Sequence, residues 1–281
     1  MSARRSLTTT ALIALGLTLT ACSSGGTDEA GGSTPSEAST AGADTSLADV
    51  QKAGVFVVGT EGTYRPFSYH EDGSGDLTGY DVEVIRAVAD ELGVDVQFEE
   101  TQWDAIFAGL EAGRFDVIAN QVSITPERED AYTFSEPYTY SPGVIVVPQD
   151  DTSITSFDSL AGKTTAQSLT SNWYTLAEDA GAQIEAVEGW AQAVALVEQG
   201  RVDATINDKL TFLDYKKQTG AEGLKVAAET EDVSRSAFAF RAGSTTLADA
   251  VDDALASLAA DGTLAELSEK YFGEDVSKGD A

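Results

Sequence analysis

The chain has 281 residues and a formal net charge of −30, from 47 acidic and 17 basic side chains. That balance excludes nucleic-acid binders, whose affinity rests on basic patches. A single cysteine excludes an internal disulfide, so stability must come from core packing. The stretch from about Leu47 on suits two domains of ordinary size or one large one.

Arg4 and Arg5 precede an apolar run from Leu7 to Ala21 that closes on Leu19-Thr20-Ala21-Cys22. A positive start, an apolar stretch and small residues at the cut make a secretory signal over 1–22. The run is shorter than the roughly 20 apolar residues of a permanent membrane helix. The small pair before Cys22 resembles a lipobox, which implies lipidation of that thiol. From 23 to 46 the residues are Ser, Gly, Thr, Ala and acids, with almost nothing to bury. Such a stretch reads as a solvated tether.

Beyond the tether, the pattern predicts a strand at Val55 to Gly59, a helix at Tyr80 to Leu92 and a strand at Val94 to Phe98. Two later segments read alike, WDAIFAGLEAGRFDVIAN (103–120) and WAQAVALVEQGRVDATIN (190–207), with seven identical positions in an ungapped alignment. Each predicts an amphipathic helix stopped at a glycine (Gly113, Gly200), then a strand (Phe115 to Ala119, Val202 to Ile206). A helix at Ser171 to Ala180 and a strand at Gln183 to Val187 precede the second copy, as a helix and a strand precede the first. Alternating strands and helices predict an α/β protein of two related lobes, each a mostly parallel sheet flanked by helices. Ligands of such sheets sit beyond the carboxyl ends of the strands, where Asn120-Gln121 and Asn207-Asp208 fall.

A free amino acid offers a carboxylate and an ammonium. Carboxylates call for the planar fork of arginine and for open amides at helix starts. Arg128 follows Ser123-Ile124-Thr125-Pro126-Glu127, in which Thr125 reads as an N-cap and Pro126 as the first helical residue. Two readings fit Arg128: a ligand clamp, or a solvated charge paired with Glu127 or Asp130. Ser168-Leu169-Thr170-Ser171-Asn172, after a strand at Lys163 to Gln167, is either a carboxylate site or an ordinary capping cluster. Asp208 has the sign for an ammonium, and it equally suits the cap of a helix running to Lys217. Glu61 and Tyr64 lie in the turn after the first strand and Trp103 in a loop at the same edge. His70 sits in a polar turn. The chain has no metal-ligand spacing, no nucleophile elbow and no phosphate loop, so no metal or cofactor is expected; Glu61 is the one candidate acid for an enzyme.

Several stretches carry a family resemblance: EGTYRPFSY (61–69), LTGYDVEVIRAVADELGV (77–94), WDAIFAGLEAGRFDVIANQVSITPER (103–128), YTFSEPY (132–138) and DGTLAELSEKYFGEDV (261–276). They resemble the solute-binding proteins of polar amino acid ABC transporters, family 3. EGTYRPFSY, NQVSIT and AQSLTSN are most similar to the cystine-binding branch. The resemblance implies a type II periplasmic-binding-protein fold with hinge strands near Ser141 to Val147 and Arg235 to Phe240. Lobe one would take 47–140 and 236–281, and lobe two 141–235. It further implies that Arg128 clamps the ligand carboxylate, that Gln121 and Ser123 add hydrogen bonds, and that Tyr64 and Trp103 wall the side-chain pocket. Thr170 and Ser171 would act on the carboxylate and Asp208 on the ammonium, with Glu61 beside them. Family members often carry Gly near Leu169, a departure at that contact. The implied protein is a non-enzymatic monomer, lipid-anchored outside the cytoplasm, that delivers an amino acid to a permease and its ATPase. A dehydratase on the same scaffold, or a binder of another polar amino acid such as glutamine, is the alternative.

Overall fold

The computed structural model describes residues 43–279; the signal segment, Cys22 and most of the tether lie outside the described residues. Asp44 to Ser46, placed in the tether by composition, are instead pinned. The Asp44 carboxylate accepts from the amides of Ser46 (3.0 Å) and Thr246 (2.6 Å), and Ser46 begins the first helix.

The elements run α1 (Ser46–Ala53), β1 (Val55–Thr60), β2 (Thr63–Tyr64), β3 (Ser68–His70), β4 (Leu77–Thr78), α2 (Tyr80–Leu92), β5 (Asp95–Glu100) and α3 (Trp103–Glu111). Next come β6 (Val117–Ser123), α4 (Pro126–Glu129), β7 (Tyr132–Phe134), β8 (Thr139–Pro148), β9 (Thr164–Gln167), α5 (Asn172–Asp179), β10 (Gln183–Ala186) and α6 (Trp190–Glu198). The chain then forms β11 (Ala204–Asp208), α7 (Lys209–Thr219), β12 (Leu224–Arg241), α8 (Thr245–Asp261) and α9 (Thr263–Phe272).

Among the described residues, nine strands join one sheet in the order β10-β9-β11-β8-β12-β6-β1-β5, with β7 also on β12. Strands β5, β1 and β6 are parallel at one end, and β10, β9 and β11 at the other. The two long strands β8 and β12 run antiparallel to each other from Thr139 to Pro148 and link these ends. The sheet is therefore two parallel halves, each built from one copy of the repeat. Both copies end their helix as expected, with Gly113 (φ 69°) and Gly200 (φ 64°) in the left-handed conformation that glycine adopts at least cost.

Each half has a core on both sheet faces. In the first, α2 and α8 bury Val84, Val88, Leu247, Val251 and Leu255 on one face, while Trp103, Ile106, Leu110 and Ile118 pack on the other. In the second, alternate residues of β8 divide: Val144 and Val146 face Trp190, Val194 and Phe212, whereas Ile145 and Val147 face Leu160, Ala177 and Ile206. That alternation is the two-residue period of a strand. Each fully buried branched side chain contributes about 1.5–3 kcal/mol.

Two strands run further than their apolar residues suggest. β6 continues through Asn120, Gln121 and Ser123, and β11 through Asn207 and Asp208. The reason is tertiary. Strand β12 pairs Ala237 and Ser236 with Val122 and Ser123, and β8 pairs Val144 and Gly143 with Asn207 and Asp208. An antiparallel partner thus extends each ladder beyond the point where hydrophobicity stops.

Candidate functional site

The carboxyl ends of the two parallel halves face each other across a cleft that encloses a cavity of about 230 Å³. From the first half Glu61, Tyr64, Trp103, Asn120 and Gln121 line it. From the second half it receives Gln167, Ser171, Asn172, Trp173, Trp190 and Asn207, among others. Its floor is strand ends and its walls are the starts of α5 and α6, as expected for a ligand site in open α/β sheets.

Asn120 joins β6 to the end of β1. Its Oδ1 accepts from the Glu61 amide (2.8 Å), Thr60 Oγ1 (3.0 Å) and Ser68 Oγ (3.1 Å), and its Nδ2 donates to Glu61 Oε2 (2.9 Å). Glu61 is held with its carboxylate at the cavity, where burial pushes it up to about 7 against the hydrogen bond from Asn120. Gln121 adopts φ 49°, uncommon for a side chain of this size. Asp81, fully buried in the first turn of α2, holds it there: the Gln121 amide and Nε2 donate to the two Asp81 oxygens at 2.7 and 2.6 Å.

Tyr64 crosses the cleft. Its hydroxyl donates to Asn207 Oδ1 (3.0 Å) and accepts from Thr211 Oγ1 (3.2 Å). Asp104 Oδ1 accepts from the Thr170 hydroxyl (2.6 Å) and amide (3.2 Å), and Arg65 Nε meets Asp214 Oδ2 at 3.4 Å. The two halves are thus in direct polar contact at each of these places.

Arg128 lies beside the cavity. Thr125 caps α4, accepting from the Arg128 amide as the sequence suggests, and the side chain returns along β6. Its guanidinium donates to Ser123 O (2.9 Å) in one half and Thr170 O (3.1 Å) in the other. It also lies 5.5 Å from the Trp103 ring centre and 5.3 Å from that of Phe107. Burial lowers it to about 10. Neither Glu127 nor Asp130 pairs with it, and no ion pair to Arg128 occurs among the described residues. The surface-pair reading of Arg128 is therefore corrected: its side chain turns into the cleft because the short α4 starts at the strand end.

Of the residues singled out by sequence, Glu61, Tyr64, Trp103, Gln121 and Ser171 line the cavity, while Ser123, Arg128, Thr170 and Asp208 do not. Ser123 touches its wall, with Oγ donating to Asn172 Oδ1 (3.3 Å). Asp208 caps α7, accepting from the Leu210 amide and from Ser141 Oγ, each at 2.8 Å. Its neighbour Asn207 takes the place at the cavity. Asp81 and Gln167 are not singled out by sequence, whereas Asn120 and Asn207 are placed at the binding edge without a role of their own. His70 lies outside the cavity, with Nδ1 2.7 Å from Gly75 O and Nε2 2.9 Å from Glu100.

Burial raises Glu61 to about 7, Asp81 to about 7 and Asp208 to about 6. A carboxylate raised on folding adds stability below its unfolded value of about 4, and that stability is lost as pH climbs through the folded value. His70, raised by its hydrogen bond to Glu100, changes in the same direction. Lowered carboxylates such as Asp151, which accepts from the Ile154 amide, lose their contribution only in more acidic solution. The ligand-free chain should therefore melt at lower temperature at pH 8 than at pH 5. Calorimetric scans across that window check this, and a melting point that rises with pH would contradict it.

Comparison with known proteins agrees with this geometry. The family model for bacterial extracellular solute-binding proteins, family 3, matches residues 56–274. The L-cystine-binding protein TcyA of Bacillus subtilis (strain 168) is 54% identical over 231 residues, spanning 82% of this chain and 86% of its own. The L-cystine solute receptor of Neisseria gonorrhoeae, solved unliganded and open, is 47% identical with a TM-score of 0.56, covering 83% of this chain and 99% of its own. An ancestral arginine-binding protein bound to arginine is only 34% identical but scores 0.73, over 78% of this chain and 99% of its own. The better superposition on a ligand-bound relative fits two halves already in contact across the cleft. Two lobes, a cleft at their strand ends and a match over most of the length have one meaning: the chain belongs to the bacterial extracellular solute-binding proteins, family 3.

Proposed function

We propose that this protein captures a free amino acid between its lobes for an ABC importer, and that the amino acid is L-cystine. The observation that carries the amino acid reading is Arg128. A partly buried guanidinium with no carboxylate partner among the described residues has bonding capacity that an anion would fill. Two of its five N–H donors reach Ser123 O and Thr170 O, so others are open to a bidentate carboxylate. Ser171 and the start of α5 line the cavity beside it. Glu61 supplies negative charge for an ammonium, and Tyr64 and Trp103 wall the remainder. The choice of cystine follows the relatives named for it.

The lobes in this reading are 47–140 with 236–281, and 141–235, hinged where β8 and β12 cross between them. A ligand that touches both lobes stabilises the closed arrangement by its differential affinity for it. Lipid on Cys22 would hold the protein at the outer face of a membrane, and the permease and ATPase would be its partners. Among the described residues no helix is long and apolar enough to cross a membrane.

Glu61, poised near neutrality in a cavity, is also what a general acid requires. We assign it to ammonium binding, because the family binds solutes and His70 is engaged elsewhere. An assay for dehydration of prephenate-like acids should show no turnover. Calorimetric titration with L-cystine, glutamine, histidine and arginine tests the ligand directly. L-Cystine should bind with a Kd of about 1 µM or tighter, about −8 kcal/mol. Heat from another amino acid and none from cystine would overturn the cystine assignment.

A further inference from the structure

Three features of the second-lobe wall have no role in the clamp around Arg128. Helix α6 begins at Gly189, which has no side chain to cap it, and its amides at Trp190, Ala191 and Gln192 have no partner among the described residues. Gln167, at the end of β9, lines the same cavity, is 3% exposed, and its Nε2 has no hydrogen-bond partner. An orphaned buried donor costs free energy that a ligand acceptor would recover. Across the cleft, a methyl built on Gly189 would sit 3.8 Å from Glu61 Oε1. Glu188 also lines this region.

Open amides at a helix start, together with a free side-chain amide, select a carboxylate. Glu61 and Glu188 beside them would repel a bare anion such as phosphate. Only a carboxylate carrying an ammonium next to it satisfies both signs. We propose that this wall is a second head-group site, in which the α6 amides and Gln167 hold a second carboxylate and Glu188 faces its ammonium. The ligand is then an amino acid with an α-amino carboxylate at each end, gripped at both. This rests on the reading that Arg128 clamps the first carboxylate.

The test is calorimetry on the purified full chain with two probes, L-cystine and the mixed disulfide of L-cysteine with cysteamine. The second probe keeps the disulfide and both ammoniums but lacks one carboxylate. Wild type should bind L-cystine at least about tenfold more tightly, the scale of one hydrogen bond to a charged group. Gln167→Met should weaken L-cystine by about tenfold and leave the mixed disulfide unchanged. Gln167→Glu, which adds a repelling charge, should weaken L-cystine further while sparing the mixed disulfide. Retained binding of the mixed disulfide shows that both variants fold. Equal affinity of wild type for the two probes, or equal losses in Gln167→Met, would overturn the second site. Arg128→Ala separates the two ideas, since it should weaken both probes alike. If neither probe binds wild type, the cystine reading fails and the second site falls with it.

Discussion

Replacing Arg128 with Ala is expected to weaken L-cystine binding by about 2–5 kcal/mol, the usual cost of truncating one partner of a desolvated charge pair. The effect should lie mainly in the dissociation rate, because the group acts after the halves have met. Arg128→Lys should recover part of the loss: a lysine keeps the charge but not the fork that bonds a carboxylate through two parallel N–H groups. The Ala variant also removes the bridge from Ser123 O to Thr170 O. Those carbonyls lie at the cleft, where water can replace the guanidinium, so global stability should change little. Calorimetric titration and a thermal melt on the same sample separate the two effects. Unchanged affinity would place the guanidinium outside the binding machinery.

The second large effect concerns a residue that touches no ligand in this account. Asp81→Ala removes the acceptor for the Gln121 amide and for Gln121 Nε2, both buried. The amide is orphaned at a cost of about 1–3 kcal/mol, whereas Nε2 keeps its bond to Thr139 Oγ1 (3.0 Å), so unfolding free energy should fall by about 1–3 kcal/mol. The left-handed Gln121 then has no tie to α2, and the strand end beneath the cavity loosens. Asp81→Asn keeps one acceptor oxygen and should lose about half as much. Urea unfolding monitored by tryptophan fluorescence gives both numbers. A midpoint for Asp81→Ala equal to wild type would show that Gln121 is held by the strand ladder alone.

These two residues mark where sequence reasoning reached and where it stopped. The repeat at Trp103 and Trp190 disclosed two related halves, because a helix and a strand leave a local pattern of apolar residues and glycine caps. The Thr125-Pro126 pair disclosed the start of α4, since a cap is local chemistry. Asp81 was legible only as an acid in the first turn of a helix, where it is favoured by the dipole in any protein. Its partner lies 40 positions away on β6, and no local rule connects them. Asn120 and Asn207 looked like strand ends because their polarity ends the apolar run. Their ladders continue because β12 and β8 supply backbone partners from distant sequence. Gln167 was legible only as the end of a strand: one glutamine there gains meaning once α6 is seen to begin uncapped beside the same cavity.

In the proposed function the two lobes close on an amino acid whose carboxylate is taken by Arg128. A crystal structure of the chain grown with L-cystine tests it most directly. The predicted result is a ligand between the lobes, one carboxylate held by two N–H groups of Arg128, with Ser171 and the amides of α5 beside it. A ligand bound to one lobe alone, or one seated in the cleft with Arg128 still directed only at the Ser123 and Thr170 carbonyls, would contradict it.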